Sequence, residues 1–161
     1  MRMGLSCPDA AALVKGGALA PGIHGTVEFY QTTGGVIVKA NISGLPDNEN
    51  GFYGFHIHQG TDCSGVGFQN TGGHYNPSGT THPHHAGDLP PLLSARGEAY
   101  LVFRTDRFTV GEITGHTVVI HSKADDFTSQ PAGNAGEKIA CGIIQPQKQA
   151  GGRRDSSRCA K

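Results

Sequence analysis

Short stretches in which apolar and polar residues alternate recur along the chain. Alternation with a period of two places every second side chain on one face, as in a half-buried β-strand. The first two stretches are separated by residues 31–35, which include two glycines and predict a hairpin. The pattern predicts an all-β fold, an antiparallel sandwich or barrel. The alternating stretches are residues 25–30, 36–42, 54–58, 98–103 and 117–121.

Two long stretches lack this alternation. Residues 59–91 are rich in Gly, Asn, Thr, His and Pro, and residues 122–137 separate His121 from a last apolar segment at 139–144. A loop of that length is uncommon in a compact domain unless it is functional or tied down. We therefore expect both stretches to be functional loops. After about residue 147 the composition is typical of a flexible tail.

Composition supports one small domain and argues against some partners. A chain of 161 residues with Gly 25, Pro 9 and only 16% charged residues favours strands and turns over long helices. Its formal net charge is zero, which predicts neither a nucleic acid nor an anionic membrane as partner. Residues 1–20 hold no unbroken apolar stretch of signal-peptide length. The sequence leaves the compartment open between the cytoplasm and, if a signal has been removed, the periplasm or the exterior.

The histidines carry the clearest chemical signal, because six of the nine lie between His56 and His85. His56 and His58 are two positions apart in a strand, so their rings project to the same side. With His74 and His121 they make an all-imidazole set, which suits copper in both oxidation states. His82, His84, His85 and Asp88 follow closely, and three nitrogen ligands with one oxygen ligand would complete a tetrahedral zinc site. The plainer alternative is a set of scattered surface histidines.

The four cysteines are Cys7, Cys63, Cys141 and Cys159, and no two of them form a CxxC motif. Such long separations favour cross-links over thiolate metal ligands.

Five ordered sequence blocks make the chain resemble the copper, zinc superoxide dismutases. The resemblance implies a Greek-key β-sandwich or flattened barrel over residues 13–146, between an N-terminal extension at 1–12 and a flexible tail at 147–161. Five blocks in family order are a specific match. The blocks are GFHIH at 54–58, GHYNP at 73–77, HAGDL at 85–89, VIHSKADD at 119–126 and GNAGEKIACG at 133–142.

Carried over position by position, the resemblance implies a role for each matching residue. His74 would be the imidazole shared by one copper and one zinc per chain, and Asp125 would hydrogen-bond one histidine of each site. Cys63 and Cys141 would form the intrasubunit disulfide, while Cys7 and Cys159 could pair together, pair between subunits or stay free. The expected copper ligands are His56, His58, His74 and His121, and the expected zinc ligands are His74, His82, His85 and Asp88.

Three positions depart from the family pattern. Lys138 stands where the family usually has a channel arginine, and lysine keeps the charge but loses the planar fork that holds an anion. The segment from His82 to Asp88 is short, so Pro83 and its turn must bring two rings to one ion. The second loop is also short and has Ala132 where a channel threonine is frequent. We expect His84 to be exposed or to act outside the ligand set.

The resemblance implies an oxidoreductase that converts superoxide to dioxygen and hydrogen peroxide. The catalytic residues would be His74, which carries a proton, and Lys138, with Lys123 as a weaker source of positive charge. Two alternatives remain open: a copper-only dismutase with an empty zinc loop, and a non-catalytic copper-binding module. Subunit arrangement varies within the family, so the sequence leaves a homodimer open.

Overall fold

The computed structural model describes residues 7–148, and they form an all-β fold. The strands are β1 Ala10–Gly16, β2 His24–Thr32, β3 Gly35–Ser43, β4 Phe52–Tyr53, β5 Phe55–His58, β6 Leu92–Leu93, β7 Ala99–Thr105, β8 Thr117–His121 and β9 Lys138–Pro146. One turn of α-helix, α1 (Val110–Ile113), and a 3₁₀ helix at Val66–Thr71 accompany them.

Seven strands make one curled antiparallel sheet, in the order β5-β8-β9-β1-β2-β3-β7, and β4 pairs with β6. The sheet curls into half of a barrel, because twisted strands close around the apolar side chains on one face. That face holds fully buried residues such as Val27, Val38 and Ile144. The antiparallel all-β prediction is confirmed.

The predicted hairpin is present, but its connection is shorter than the sequence indicates. Strands β2 and β3 stay paired from His24↔Ser43 to Thr32↔Gly35, which leaves only residues 33–34 unpaired. Gly35 has φ of 133°, and a Cβ there would overlap the Thr105 carbonyl oxygen. Glycine is therefore needed at the point where β3 leaves the turn.

The alternation did not reveal strand β1, although it lies at the centre of the sheet between β2 and β9. Ala10, Ala12 and Val14 are buried, while Leu13 between them is 69% exposed. Because both faces carry apolar residues, no polar alternation marks the strand. Strand β1 thus begins at Ala10, within the residues expected to form the N-terminal extension. Of the expected tail, residues 149–161 lie outside the described part of the chain, and the domain boundaries stay a prediction.

The two long irregular stretches were predicted correctly. Between β5 and β6 the described backbone holds only the 3₁₀ helix, and residues 122–137 hold neither strand nor helix. Both stretches lie beside β5 and β8, because Gly54 donates its amide to the Lys123 carbonyl and Gln59 donates to the Gly73 carbonyl. The loops therefore meet over the end of the sheet that carries the histidines.

Candidate metal centre

Three of the expected ligands come from neighbouring strands. His56 and His58 lie on β5, and His121 is the last residue of β8. The two strands are antiparallel, with His56 opposite Val119, and the His121 amide donates to the Gly54 carbonyl at 2.8 Å. His58 Nε2 and His121 Nε2 end 3.1 Å apart. Strand register alone thus brings three buried imidazoles together.

His74 lies between these rings and a second group. A single β-bridge pairs it with His58, and its ring centroid is 4.0 Å from that of His56. On its other side its ring is 5.3 Å from that of His85. The His74 Nδ1 atom contacts the Asp88 carboxylate at 2.7 Å, whereas Nε2 is buried without a hydrogen-bond partner. The two nitrogens of this imidazole therefore face two different clusters.

The second cluster surrounds the Asp88 carboxylate. Its Oδ2 atom lies 3.1 Å from His82 Nδ1 and 3.3 Å from His85 Nδ1, while Oδ1 meets His74. His82, His85 and Asp88 are at most 9% exposed, whereas His84 is exposed, as expected. The short segment therefore does bring both rings to one point.

The donor atoms fit two metal ions. Within each cluster, one atom from each of the four residues lies within 4.8 Å of the others. His56 Nδ1, His74 Nε2 and His82 Nδ1 are buried without a hydrogen-bond partner, although such atoms are normally satisfied. The contact of His82 Nδ1 with Asp88 Oδ2 is close but does not have the geometry of a hydrogen bond. A bound cation would satisfy all three. The first cluster offers four imidazoles and the second three imidazoles and a carboxylate, the sets that suit copper and zinc.

Burial keeps the strand histidines neutral, which is the form that binds a metal. Desolvation, aided by neighbouring His56, lowers the pKa of His121 to about 3. The same desolvation lowers the pKa of His58 well below its ordinary value and also lowers those of His56 and His85. These four rings therefore present free nitrogen lone pairs at neutral pH.

Asp125 connects the two clusters through its carboxylate. Oδ2 accepts from His56 Nε2 at 2.7 Å, and Oδ1 accepts from His82 Nε2 at 2.8 Å. Burial by itself raises the pKa of Asp125, but hydrogen bonds from His56, the Phe127 amide and His82 outweigh it and hold that pKa at about 2. Because each of these two rings donates a hydrogen bond through Nε2, its Nδ1 keeps a free lone pair that can bind a metal ion. A Cβ at Gly133 would overlap Asp125 Oδ1, so glycine is required there.

An open cavity reaches the first cluster from solvent, and Lys138 lies on its wall. The cavity is lined by His58, His74, His121, Ala132 and Lys138, among others. Lys138 Nζ donates to Thr71 Oγ1 at 2.7 Å and to the Gly72 carbonyl at 2.9 Å. Partial burial lowers its pKa from the ordinary lysine value. Lys123 is exposed and is not part of the cavity lining.

The predicted disulfide is confirmed. Cys63 and Cys141 are bonded, with their Cα atoms 5.8 Å apart, and so tie the first long loop to β9. Cys7 is also in a disulfide bond, so it is not a free thiol. Cys159 lies outside the described residues, and its pairing stays open.

Sequence reasoning missed three residues that contact the centre. Thr71 accepts a hydrogen bond from Lys138. The Gln130 side chain accepts from the His82 amide and donates to the His82 carbonyl. Arg107 contacts three carbonyls of the segment from Pro83 to Asp88. Each is distant in sequence from what it contacts, and none lies in a block of the resemblance. No sequence pattern would have found them.

The chain is similar to proteins that are named for copper and zinc. The family model described as copper/zinc superoxide dismutase (SODC) matches residues 23–144. The Cu-Zn superoxide dismutase 2 of Aquifex aeolicus is 38% identical over 138 residues, which cover 76% of this chain and 80% of that protein. The Cu-Zn superoxide dismutase of Photobacterium leiognathi is 35% identical over 138 residues, covering 75% and 78%.

A solved structure gives the same result. The Cu/Zn superoxide dismutase from Brucella abortus superposes with a TM-score of 0.72 at 26% identity, covering 84% of this chain and 99% of that one. The family model spans most of the chain, and the relatives match about three quarters of the chain's length. The chain belongs to the copper/zinc superoxide dismutase family.

Proposed function

We propose that this chain is a superoxide dismutase, an oxidoreductase that converts two superoxide anions and two protons into dioxygen and hydrogen peroxide. The observation that carries the proposal is the position of His74, whose two ring nitrogens face two complete donor sets. Family membership supports the same reaction.

The donor sets favour one copper and one zinc ion per chain. His56, His58, His74 and His121 would hold copper, and His74, His82, His85 and Asp88 would hold zinc. When bound, copper supplies a one-electron redox step in both directions, and zinc supplies a fixed positive charge without redox chemistry. Each set offers four donor atoms within 4.8 Å of one another.

His74 is the proposed proton carrier. Its Nδ1 is oriented toward Asp88 and the second cluster, so its Nε2 is the atom that can hold a proton toward the cavity whenever it is not holding copper. The side chain is 2% exposed, which limits exchange of that proton with bulk water. Product formation requires protons at the cavity, and this atom lies beside the cavity-lining rings of His58 and His121.

Lys138 is the proposed anion-guiding residue. Its ammonium group has three N–H donors, of which Thr71 and Gly72 accept two. The third is left to attract and hold a small anion in the cavity. A positive group beside a narrow reaction site raises the association rate of an anion, an effect for which superoxide dismutases are themselves a standard example.

Metal content and superoxide consumption test the proposal together. The full chain, loaded with copper and zinc, is expected to hold one of each and to consume superoxide in pulse radiolysis. One copper without zinc would favour a copper-only dismutase, and a fully loaded protein that leaves superoxide unconsumed would refute the enzyme assignment.

Charge reversal tests Lys138. Lys138→Glu should lower the second-order rate constant sharply at low salt, and the loss should shrink as salt screens the charge. Lys123→Glu makes the same charge change at an exposed position outside the cavity lining, so its loss should be smaller. Equal rates for Lys138→Glu and the unmodified chain would remove Lys138 from the mechanism.

Compartment and subunit number stay predictions. In residues 7–148 no helix is both long and apolar enough to cross a bilayer. One relative, from Onchocerca volvulus, is named an extracellular enzyme and is 34% identical. The Cys63–Cys141 bond suits an oxidising compartment. Light scattering of the full chain would decide whether it forms a homodimer.

A further inference from the structure

One side-chain nitrogen outside the ligand set contacts three carbonyl oxygens of the second cluster's own segment. Arg107 lies in the connection between β7 and α1. Its Nη1 atom is 3.0 Å from the Pro83 carbonyl oxygen, 3.3 Å from that of His85 and 3.3 Å from that of Asp88. The three carbonyls therefore converge on a single cationic group.

The segment that Arg107 contacts has little regular structure to hold it. Residues 82–88 form neither strand nor helix, and their local main-chain bonds join Thr81 to His84 and His85 to Asp88. Its two ends are fixed by other parts of the chain. The Gln130 side chain hydrogen-bonds to both the amide and the carbonyl of His82, and the Gly87 main chain hydrogen-bonds to the main chains of Ile57 and Tyr75. In the described chain, Arg107 is the side chain from outside the segment that contacts the His85 main chain.

The guanidinium supplies a permanent positive charge at this position. It stays charged at all relevant pH values, and its Nη1 atom carries two N–H groups that the three converging carbonyls share. It also leaves the metal-binding atoms free. The Asp88 carboxylate contacts three histidine rings and the His85 amide, and no ion pair joins it to Arg107 in the described residues.

We propose that Arg107 is a positioning residue for the zinc-binding segment. It draws the carbonyls of Pro83, His85 and Asp88 together on one side, and so holds the rings of the segment in place on the other side. This inference rests on the proposed function only in naming zinc as the ion. It explains how a segment of seven residues, 82–88, can supply three donor groups without a regular element.

The experiment compares Arg107→Gln with Arg104→Gln in the full-length protein. Arg104 and Arg107 both line a surface cleft beside Pro83 and Asp88. Arg104 is a matched control, since it donates to the Gly34 carbonyl, away from the segment. Zinc affinity is measured by competition with a chromophoric chelator. We expect Arg107→Gln to lower it by about tenfold, the low end of the usual cost of losing a group that orients a ligand. Arg104→Gln and the copper affinity of both variants should stay near the unmodified values.

Two further measurements separate positioning from general stability. The visible spectrum of the cobalt-substituted site reports ligand geometry without turnover and should change in Arg107→Gln but not in Arg104→Gln. In the metal-free protein, amide hydrogen exchange should rise in residues 82–88 and stay unchanged in β5 and β8. Arg107→Lys, which keeps a cation, should recover part of the zinc affinity and supplies a milder variant if the glutamine protein folds poorly.

The outcomes distinguish this inference from the proposed function. Unchanged exchange in residues 82–88, or equal losses of zinc and copper affinity, would overturn the role of Arg107. If the unmodified chain bound zinc but consumed no superoxide, the dismutase proposal would fail while the positioning role stood. Because hydrogen exchange needs no metal, it tests Arg107 even if the unmodified chain binds no zinc.

Discussion

The two halves of the metal centre are built by different means. His56, His58 and His121 sit on paired strands, so their positions follow from sheet register. His82, His85 and Asp88 sit on an irregular segment and are placed by contacts with side chains and backbone from distant parts of the chain. The strand half depends on the core for its geometry, whereas the loop half depends on a few individual hydrogen bonds.

The core explains the rigidity of the strand half. Ile57 lies between the two β5 histidines and, like Phe55 and Ile120, is fully buried. Each such side chain contributes roughly 1.5–3 kcal/mol when it is buried. The rings of His56 and His58 are therefore held by the same burial that stabilises the sheet.

Removing the Cys63–Cys141 bond should give the largest effect, because this bond ties the first long loop to strand β9. Closing a loop with a sequence separation of 78 residues is worth about 4.5 kcal/mol in the chain-entropy model. Urea unfolding of the metal-free Cys63→Ala, Cys141→Ala protein should show a loss of that size. Hydrogen exchange should rise in the whole domain, and most strongly in residues 59–74, where the chain can then open locally. An unchanged unfolding midpoint would show that the loop is held by other contacts.

Replacing Asp125 should lower the zinc affinity of the loop half more than the copper affinity of the strand half. In Asp125→Ala both His56 and His82 lose a hydrogen-bond partner, but only His82 lies on the segment without strand register. Zinc affinity should fall by roughly 10–100-fold, and copper affinity by less. Asp126→Ala is the control, because that carboxylate contacts Thr128 and Ser129 within its own loop. Equal losses of the two affinities would contradict the distinction between strand and loop.

The strand half could be predicted from the sequence, because it uses local rules. Alternation placed His56 and His58 on one face of a strand, and the described strands β2, β3, β5, β7 and β8 all match stretches found by alternation. Strand β1 was missed because Leu13 is exposed and the alanines carry no face preference. A central strand can thus escape notice when its outer face is also apolar.

The loop half could be predicted only as a set of ligand residues. The resemblance supplied His82, His85 and Asp88, but the contacts that Arg107 and Gln130 make with their segment join residues 19 to 48 positions apart. Gln130 and Arg107 act through ordinary hydrogen bonds to main-chain atoms, and glutamine or arginine at such positions is not distinctive in sequence. Their roles appear only when the loops are placed beside one another.

Replacing Thr71 should give the smallest effect and should sharpen the comparison within the copper side. Thr71 Oγ1 accepts from Lys138 Nζ at 2.7 Å, and the neighbouring Gly72 carbonyl accepts from both Lys138 and His58. Valine nearly keeps the shape of threonine but removes the acceptor for Lys138, together with the hydroxyl's own donation to the Phe68 carbonyl. One such hydrogen bond is worth about 1 kcal/mol, so the second-order rate constant for superoxide in Thr71→Val should fall up to about fivefold.

The control for this change is Thr71→Ser, which keeps the hydroxyl and should retain the rate. Copper affinity should not move in either variant, because His58 keeps its own bond to Gly72 and its place on β5. Azide titration of the copper-loaded protein should show weaker anion binding in Thr71→Val alone. If copper affinity fell together with the rate, the loop that holds Lys138 would also be holding the strand ligands, and the two halves would not be independent.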